Sequence, residues 1–230
     1  NNTGDVLHWI VWNIPAAAKL GSYRIVLDPP RPATSGDGKR VSAQRDYEQA
    51  VRLWRGLGEG QGTPQGRPEA LRRLESALGA FRSEGDRRGE GEALEEIAGL
   101  HALVNRQAQA LSSAEQALAI YRELEDRSAE VAARGRIGWA TYWLGDTRRG
   151  IEHLQDVLGM ARDMSNEWRE AICLNDLGTI YRRSGEAEKA IELHEQAIAK
   201  SRASGNRRAE AFSLNNLGTA YKDLGEYGKA

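Results

Sequence analysis

The stretch Leu174-Asn175-Asp176-Leu177-Gly178-Thr179-Ile180-Tyr181 returns forty residues later as Leu214-Asn215-Asn216-Leu217-Gly218-Thr219-Ala220-Tyr221. A fixed period of roughly 20 to 50 residues restricts a chain to a stack of like units, each burying its apolar face only against its neighbours. The register extends backwards: Ile137-Gly138 falls under Leu177-Gly178, and Gly145-Asp146 falls under Gly185-Glu186. One period earlier, Ile97-Ala98, Asn105 and Ala110-Leu111 take the same places. A divergent first unit aligns Ala70-Leu71, Ala77-Leu78 and Phe81 with Ala110-Leu111, Ala117-Leu118 and Tyr121.

Within a unit the apolar residues follow helical spacing. Leu174, Leu177 and Tyr181 make one stripe, and Ala190, Ile191, His194, Ala197 and Ile198 make a second, so each unit reads as a helical hairpin. Gly145, Gly185 and Gly225 stand where the first helix must reverse through a left-handed residue, and Asn105 is the best substitute there. Asp86, Asp126, Asn166 and Asn206 recur where the next hairpin begins, and their short side chains can accept from unpaired amides of a helix start. Gly138, Gly178 and Gly218 let a neighbouring helix approach closely. The pattern predicts an all-α chain with helices near 42–57, 67–84, 87–104, 107–124, 127–144, 147–164, 167–184, 187–204 and 207–224.

Composition removes several function classes. The 32 basic side chains nearly balance 33 acidic ones, so the broad positive field on which nucleic acid and anionic membrane binding rest is absent. Cys173 is the single cysteine and its equivalents are Ala93, Ala133 and Ser213, which makes it a small-residue packing position. His8, His101, His153 and His194 share no metal-binding spacing, and His194 occupies a core position of its helix. Gly56 to Gly66 lacks the Gly-Lys-Ser/Thr ending of a phosphate loop and reads as a connection. No catalytic residue, metal or cofactor is expected.

Leu-x-x-Leu-Gly-x-x-Tyr, then Gly-Glu, then Ala-Ile resembles the tetratricopeptide repeat, over residues 42 to 230. The usual unit is about 34 residues; the longer unit here resembles the subclass of kinesin light chains and of the Asn-rich adaptors of cell polarity. The resemblance implies a right-handed superhelix whose first helices line a concave groove. It places Asn175, Asp176, Thr179, Arg182 and Arg183, with Asn215, Asn216, Thr219, Lys222 and Asp223, on that groove. Asparagine amides donate and accept, so a ladder of them can hold the backbone of an extended peptide. Arg182, Arg183 and Lys222 would attract an acidic segment, while Glu92, Glu95 and Glu96 make the earlier groove acidic; a plain solvated face is the alternative for these charges. Trp139, Tyr142 and Trp143 replace polar groove residues and either anchor an apolar side chain of a partner or pack on the adjacent helix.

Residues 1–38 do not fit the repeat. Val6 to Ile14 and Tyr23 to Leu27 read as strands, and Pro29, Pro30, Pro32 with Ser35-Gly36-Asp37-Gly38 read as a linker, giving a short N-terminal β segment (1–38) before a solenoid (39–230) of about four and a half hairpins. Gly21-Ser22-Tyr23-Arg24-Ile25-Val26-Leu27, Arg31-Pro32-Ala33-Thr34 and the helix start near Ser42 resemble bacterial proteins that join a β-sandwich, such repeats and a caspase-like CHAT protease domain. The strands either pack on the first helices or, as that resemblance implies, are the tail of a sandwich; the resemblance also places a protease beyond Ala230, where the repeat expects a further helix. The expected function is an interaction scaffold that binds a protein or peptide segment in the groove, in the cytoplasm. The rivals are the regulatory arm of such a protease and self-association through the uncapped last hairpin.

Overall fold

The computed structural model describes residues 35–55, 66–226 and 228–229, all within one contact unit spanning Thr34–Ala230. Nine α-helices follow one another among them: α1 (Ser35–Arg55), α2 (Arg67–Ser83), α3 (Arg87–Leu103), α4 (Gln107–Glu123), α5 (Arg127–Trp143), α6 (Thr147–Asp163), α7 (Glu167–Arg183), α8 (Ala187–Ala203) and α9 (Arg207–Asp223). The helices expected from the repeat form where its periodicity puts them. The expected strands within 6–14 and 23–27, the proline cluster and most of the Gly56 to Gly66 connection lie outside the described residues.

One helix start differs from expectation. α1 begins at Ser35, not near 42, so the Ser-Gly-Asp-Gly stretch read as linker is its first turn. Glycine costs a helix only about 1 kcal/mol per residue against alanine, a local bias that packing overrides. α1 buries Ala43 and Ala50 almost completely and packs on α2 and α3.

From α2 onward every helix has 17 residues and every connection has three, because one turn is used at all seven connections and again after α9. At the first, Asp86 N–H donates to the Phe81 carbonyl at 2.9 Å and Gly85 N–H to that of Arg82 at 3.3 Å, with Gly85 at φ 68°. This closes the last turn through a left-handed residue. Asn105, Gly145, Gly185 and Gly225 take that conformation as expected, and so do Gly85 and Gly205 between hairpins. Glu125 (φ 54°) and Ser165 (φ 50°) adopt it despite their side chains. The next residue caps the following helix: Asp86, Asp126, Asn166 and Asn206 accept from the amides of Gly89, Ala129, Arg169 and Ala209 at 2.9–3.1 Å. Asp146, which the sequence pattern left out, does the same for Arg149 at 3.0 Å.

The buried stripes are those the spacing marked. Leu174, Leu177 and Tyr181 of α7 and Ala190, His194, Ala197 and Ile198 of α8 are each 7% exposed or less. Burying a large apolar side chain stabilises by about 1.5–3 kcal/mol, so these stripes dominate the folding energy. Gly178 is a point of closest approach: a Cβ there would lie 2.8 Å from the His194 ring. Gly138 makes the equivalent approach to Leu154, with a Cβ at 3.0 Å.

The order of contacts defines the two walls of the stack. Each helix packs on its chain neighbours, and α1, α3, α5, α7 and α9 also touch the next odd-numbered helix, whereas the even-numbered helices make no comparable contact among themselves. Closer spacing along the odd helices makes theirs the inner, concave wall.

Candidate functional site

The inner wall is joined by polar contacts that step from one odd helix to the next with the same sequence separation, 41 residues. Arg55 of α1 pairs with Glu96 of α3, and Arg136 of α5 donates to Glu95 of α3 at 3.4 Å. Asn216 Nδ2 of α9 donates to Asn175 Oδ1 of α7 at 3.0 Å, and Arg182 Nη1 of α7 donates to Asp223 Oδ2 of α9 at 2.7 Å. The stride is one residue longer than the repeat for a geometric reason. One residue turns about 100° around a helix, so position i faces the next helix while the position after its equivalent faces back.

On α5, Trp139, Tyr142 and Trp143 form one aromatic cluster. Trp139 stacks with Trp143 at a centroid distance of 6.4 Å, and Tyr142 meets both edge-on at 5.7 and 5.4 Å. Trp139 and Tyr142 pack on the core, while Trp143 is 45% exposed. Two of the rings thus pack, as one sequence reading expected, and Trp143 is exposed. Arg183 of α7 lies over the Trp143 ring, 4.7 Å from its centroid, a cation–π contact.

Asp176 of α7 sits beside this cluster. Burial pushes its carboxyl up to about 7, against the pull of the Trp139 indole N–H and the Arg136 guanidinium. Burial likewise raises Glu92 and Glu96 on α3, the latter opposed by Arg55 and Arg136. The first half of the wall thus carries partly desolvated carboxylates, and Arg55 and Arg136 answer them.

The candidate residues fall into three groups. Trp139, Tyr142, Trp143, Asp176 and Arg183 come together across α5 and α7; Asn175 joins Asn216 and Arg182 joins Asp223 across α7 and α9. Thr179 and Thr219 donate their hydroxyls to the carbonyls of Asn175 and Asn215 at 2.9 Å, so these donors are spent within their own helices. Asn215 and Lys222 stand exposed on α9. Of the three cations expected to attract an acidic segment, Arg182 is paired and Arg183 covers Trp143; Lys222 has no ion pair among the described residues. Arg55 and Arg136 were not legible as wall residues from one repeat unit alone, although the 41-residue spacing to a glutamate marks both.

Outside the wall, His194 is fully buried and packs as a core residue, with neither ring nitrogen bonded among the described residues. Burial, with Arg182 nearby, holds it down at about 4. Cys173 is buried, and burial pushes its thiol up to about 12, which leaves it unreactive as a nucleophile. Among the described residues no cluster of His, Cys, Asp or Glu could hold a metal ion, and no helix is long and apolar enough to cross a membrane.

The fold and its polar inner wall define an α-solenoid of stacked hairpins that displays one continuous surface. Residues 129–203 and 169–230 match the family model described as tetratricopeptide repeat. No curated protein matches the sequence. Among solved structures, a Podosopora anserina protein of kinesin light chain type, with nearly identical TPR-like repeats, superposes with a TM-score of 0.59 at 18% identity, covering 83% of this chain and 90% of that one. Aspartyl phosphate phosphatase F of Bacillus subtilis superposes with a TM-score of 0.67 at 19% identity, over 83% of this chain and about half (49%) of that one. A Rap protein complexed with competence and sporulation factor superposes with a TM-score of 0.62 at 16% identity, over 84% of this chain and 61% of that one. At these identities the likeness is one of fold.

Proposed function

We propose that the chain is a protein-interaction scaffold whose inner wall, from Trp143 on α5 to Asn215 on α9, holds an extended protein or peptide segment. The observation that carries this reading is the row of side chains presented by three successive odd helices: an outward ring at Trp143, the free amide groups left over from the Asn175–Asn216 bond, and exposed Asn215 and Lys222. In the Asn pair one donor and one acceptor are used, leaving Asn175 Nδ2 and Asn216 Oδ1 to meet a backbone carbonyl and a backbone amide. An apolar side chain of the segment would pack against the exposed edge of Trp143, whose ring also meets Trp139 and Arg183, giving the anchor that amides alone lack. The Rap protein solved with a bound factor supports the reading by analogy of fold.

The experiment is a selection of binding peptides from a random library on the intact chain, followed by affinity measurement on variants. Asn175→Ala with Asn216→Ala, and separately Trp143→Ala, weaken the selected peptides about tenfold or more, a loss of about 1.4 kcal/mol or above, while helical circular dichroism stays unchanged. Peptides that bind all variants equally would show that the inner wall is not the site.

A second reading, the regulatory arm of a caspase-like protease, is supported by the sequence resemblance through residues 21–45. It is tested by the gene's downstream reading frame: a caspase-like histidine and cysteine dyad there favours it, and a stop codon after Ala230 counts against it.

A further inference from the structure

The odd helix α7 carries a buried apolar wedge that α5 lacks. In α7, Leu174, Leu177 and Tyr181 are nearly fully buried in one cluster with Leu158 of α6 and Ala190 of α8. Lys189 covers the Tyr181 ring, its Nζ 3.7 Å from the centroid. The place of Tyr181 is held by a ring in α3 (His101) and α9 (Tyr221), and the place of Leu174 by Leu94 and Leu214. In α5 those two places hold Thr141 and Arg134. Arg134 pairs with Glu130, with contacts of 3.0 and 2.8 Å, and lines the edge of the space rather than filling it, and Thr141 is too short to replace a phenol ring.

The consequence is a cleft of about 620 Å³ on the outer side of the stack, between α4 and α6 and above α5. Leu111, Leu118 and Ile137 line its apolar part, Thr141 stands where the ring is missing, and Arg149 and His153 stand beside it. Arg149 occupies the position that Lys189 holds one hairpin later. The chain thus contains its own template for what fits: a flat ring on aliphatic side chains, capped by a cation. Charges of both signs line the edge, Arg122, Arg134 and Arg149 with Glu115 and Asp146, and such a mixed rim suits the backbone carbonyls and amides of a polypeptide.

We infer that this outer cleft receives the ring of a tyrosine or phenylalanine side chain from a partner protein segment, lodged on Leu118 and Ile137 in the place Thr141 leaves open, with Arg149 over its face. The site is separate from the inner wall, and neither depends on the other.

The test is a titration of the full chain with p-cresol, the tyrosine side-chain analogue, followed by methyl NMR. Saturable shifts confined to Leu111, Leu118 and Ile137 are the expected result. Thr141→Tyr, which copies the α7 arrangement, abolishes them; Arg149→Gln, an exposed change that leaves the fold intact, weakens the affinity several-fold. The blocked tripeptide Ala-Tyr-Ala shifts the same methyls with equal or higher affinity, and Ala-Ala-Ala shifts none. Absence of saturation, equal binding by the Thr141→Tyr variant, or binding of p-cresol with exclusion of Ala-Tyr-Ala overturns the proposal, the last by assigning the cleft to a free small aromatic molecule.

Discussion

Asn216 Nδ2 donates to Asn175 Oδ1 at 3.0 Å, across 41 residues of chain and between two helices that are not sequence neighbours. This bond ties the last two inner-wall helices together and fixes which edge of each amide remains free. Replacing either asparagine by alanine destabilises the chain modestly, and the double-mutant cycle of Asn175→Ala and Asn216→Ala in urea unfolding gives a coupling of about 1 kcal/mol. A coupling near zero would show that the two amides face solvent independently.

Asp176 makes stability fall with rising pH. Its carboxyl titrates near 3.9 when the chain is unfolded and at about 7 in the fold, so between those values the folded state keeps a proton that the unfolded state has lost. The contribution is fully present below about pH 4 and is gone above about pH 7. Asp176→Asn removes this slope. The variant is about 1–3 kcal/mol more stable than the parent at pH 8 and equal to it at pH 4, as measured by urea unfolding across that range.

His194 acts in the opposite direction. Its folded value of about 4 lies below the usual 6.5, so stability is present above about pH 6.5 and is lost as pH falls toward 4. Its repeat equivalents Leu74 and Leu154 are fully buried, and Leu154 meets Gly138 as His194 meets Gly178. His194→Leu removes two unbonded ring nitrogens from the core and raises stability by about 1–3 kcal/mol near neutral pH, with a larger gain at pH 5. Thermal unfolding at the two pH values checks both the sign and the trend.

Glu125 and Ser165 hold left-handed backbone conformations that glycine holds at the matching turns. A side chain there costs about 1–2 kcal/mol. Glu125→Gly and Ser165→Gly each raise stability by about 1 kcal/mol, less than the full cost because glycine also loosens the unfolded chain. The reverse change, Gly185→Ala at φ 86°, lowers it by about 1 kcal/mol or more. Chemical denaturation of the three variants tests the ranking.

The turns were legible because their chemistry is local. Gly145 and Asp86 act on backbone groups within five residues of themselves, and the apolar stripe of Leu174, Leu177 and Tyr181 needs only the pitch of a helix to be read. The reuse of one turn between and within hairpins was not legible at Glu125 and Ser165, where the left-handed conformation goes against the local preference of a residue with a side chain.

The sequence by itself determined the repeat, the helix limits from α2 onward and the caps at Asp86, Asp126, Asn166 and Asn206, since each depends on contacts within about one turn of chain. Which asparagine edge is free, which arginine is engaged, and that Thr141 and Arg134 leave a cleft were decided only in the tertiary structure. Those outcomes depend on groups brought together from different helices, and the rotation of each helix against the next sets which side chains meet.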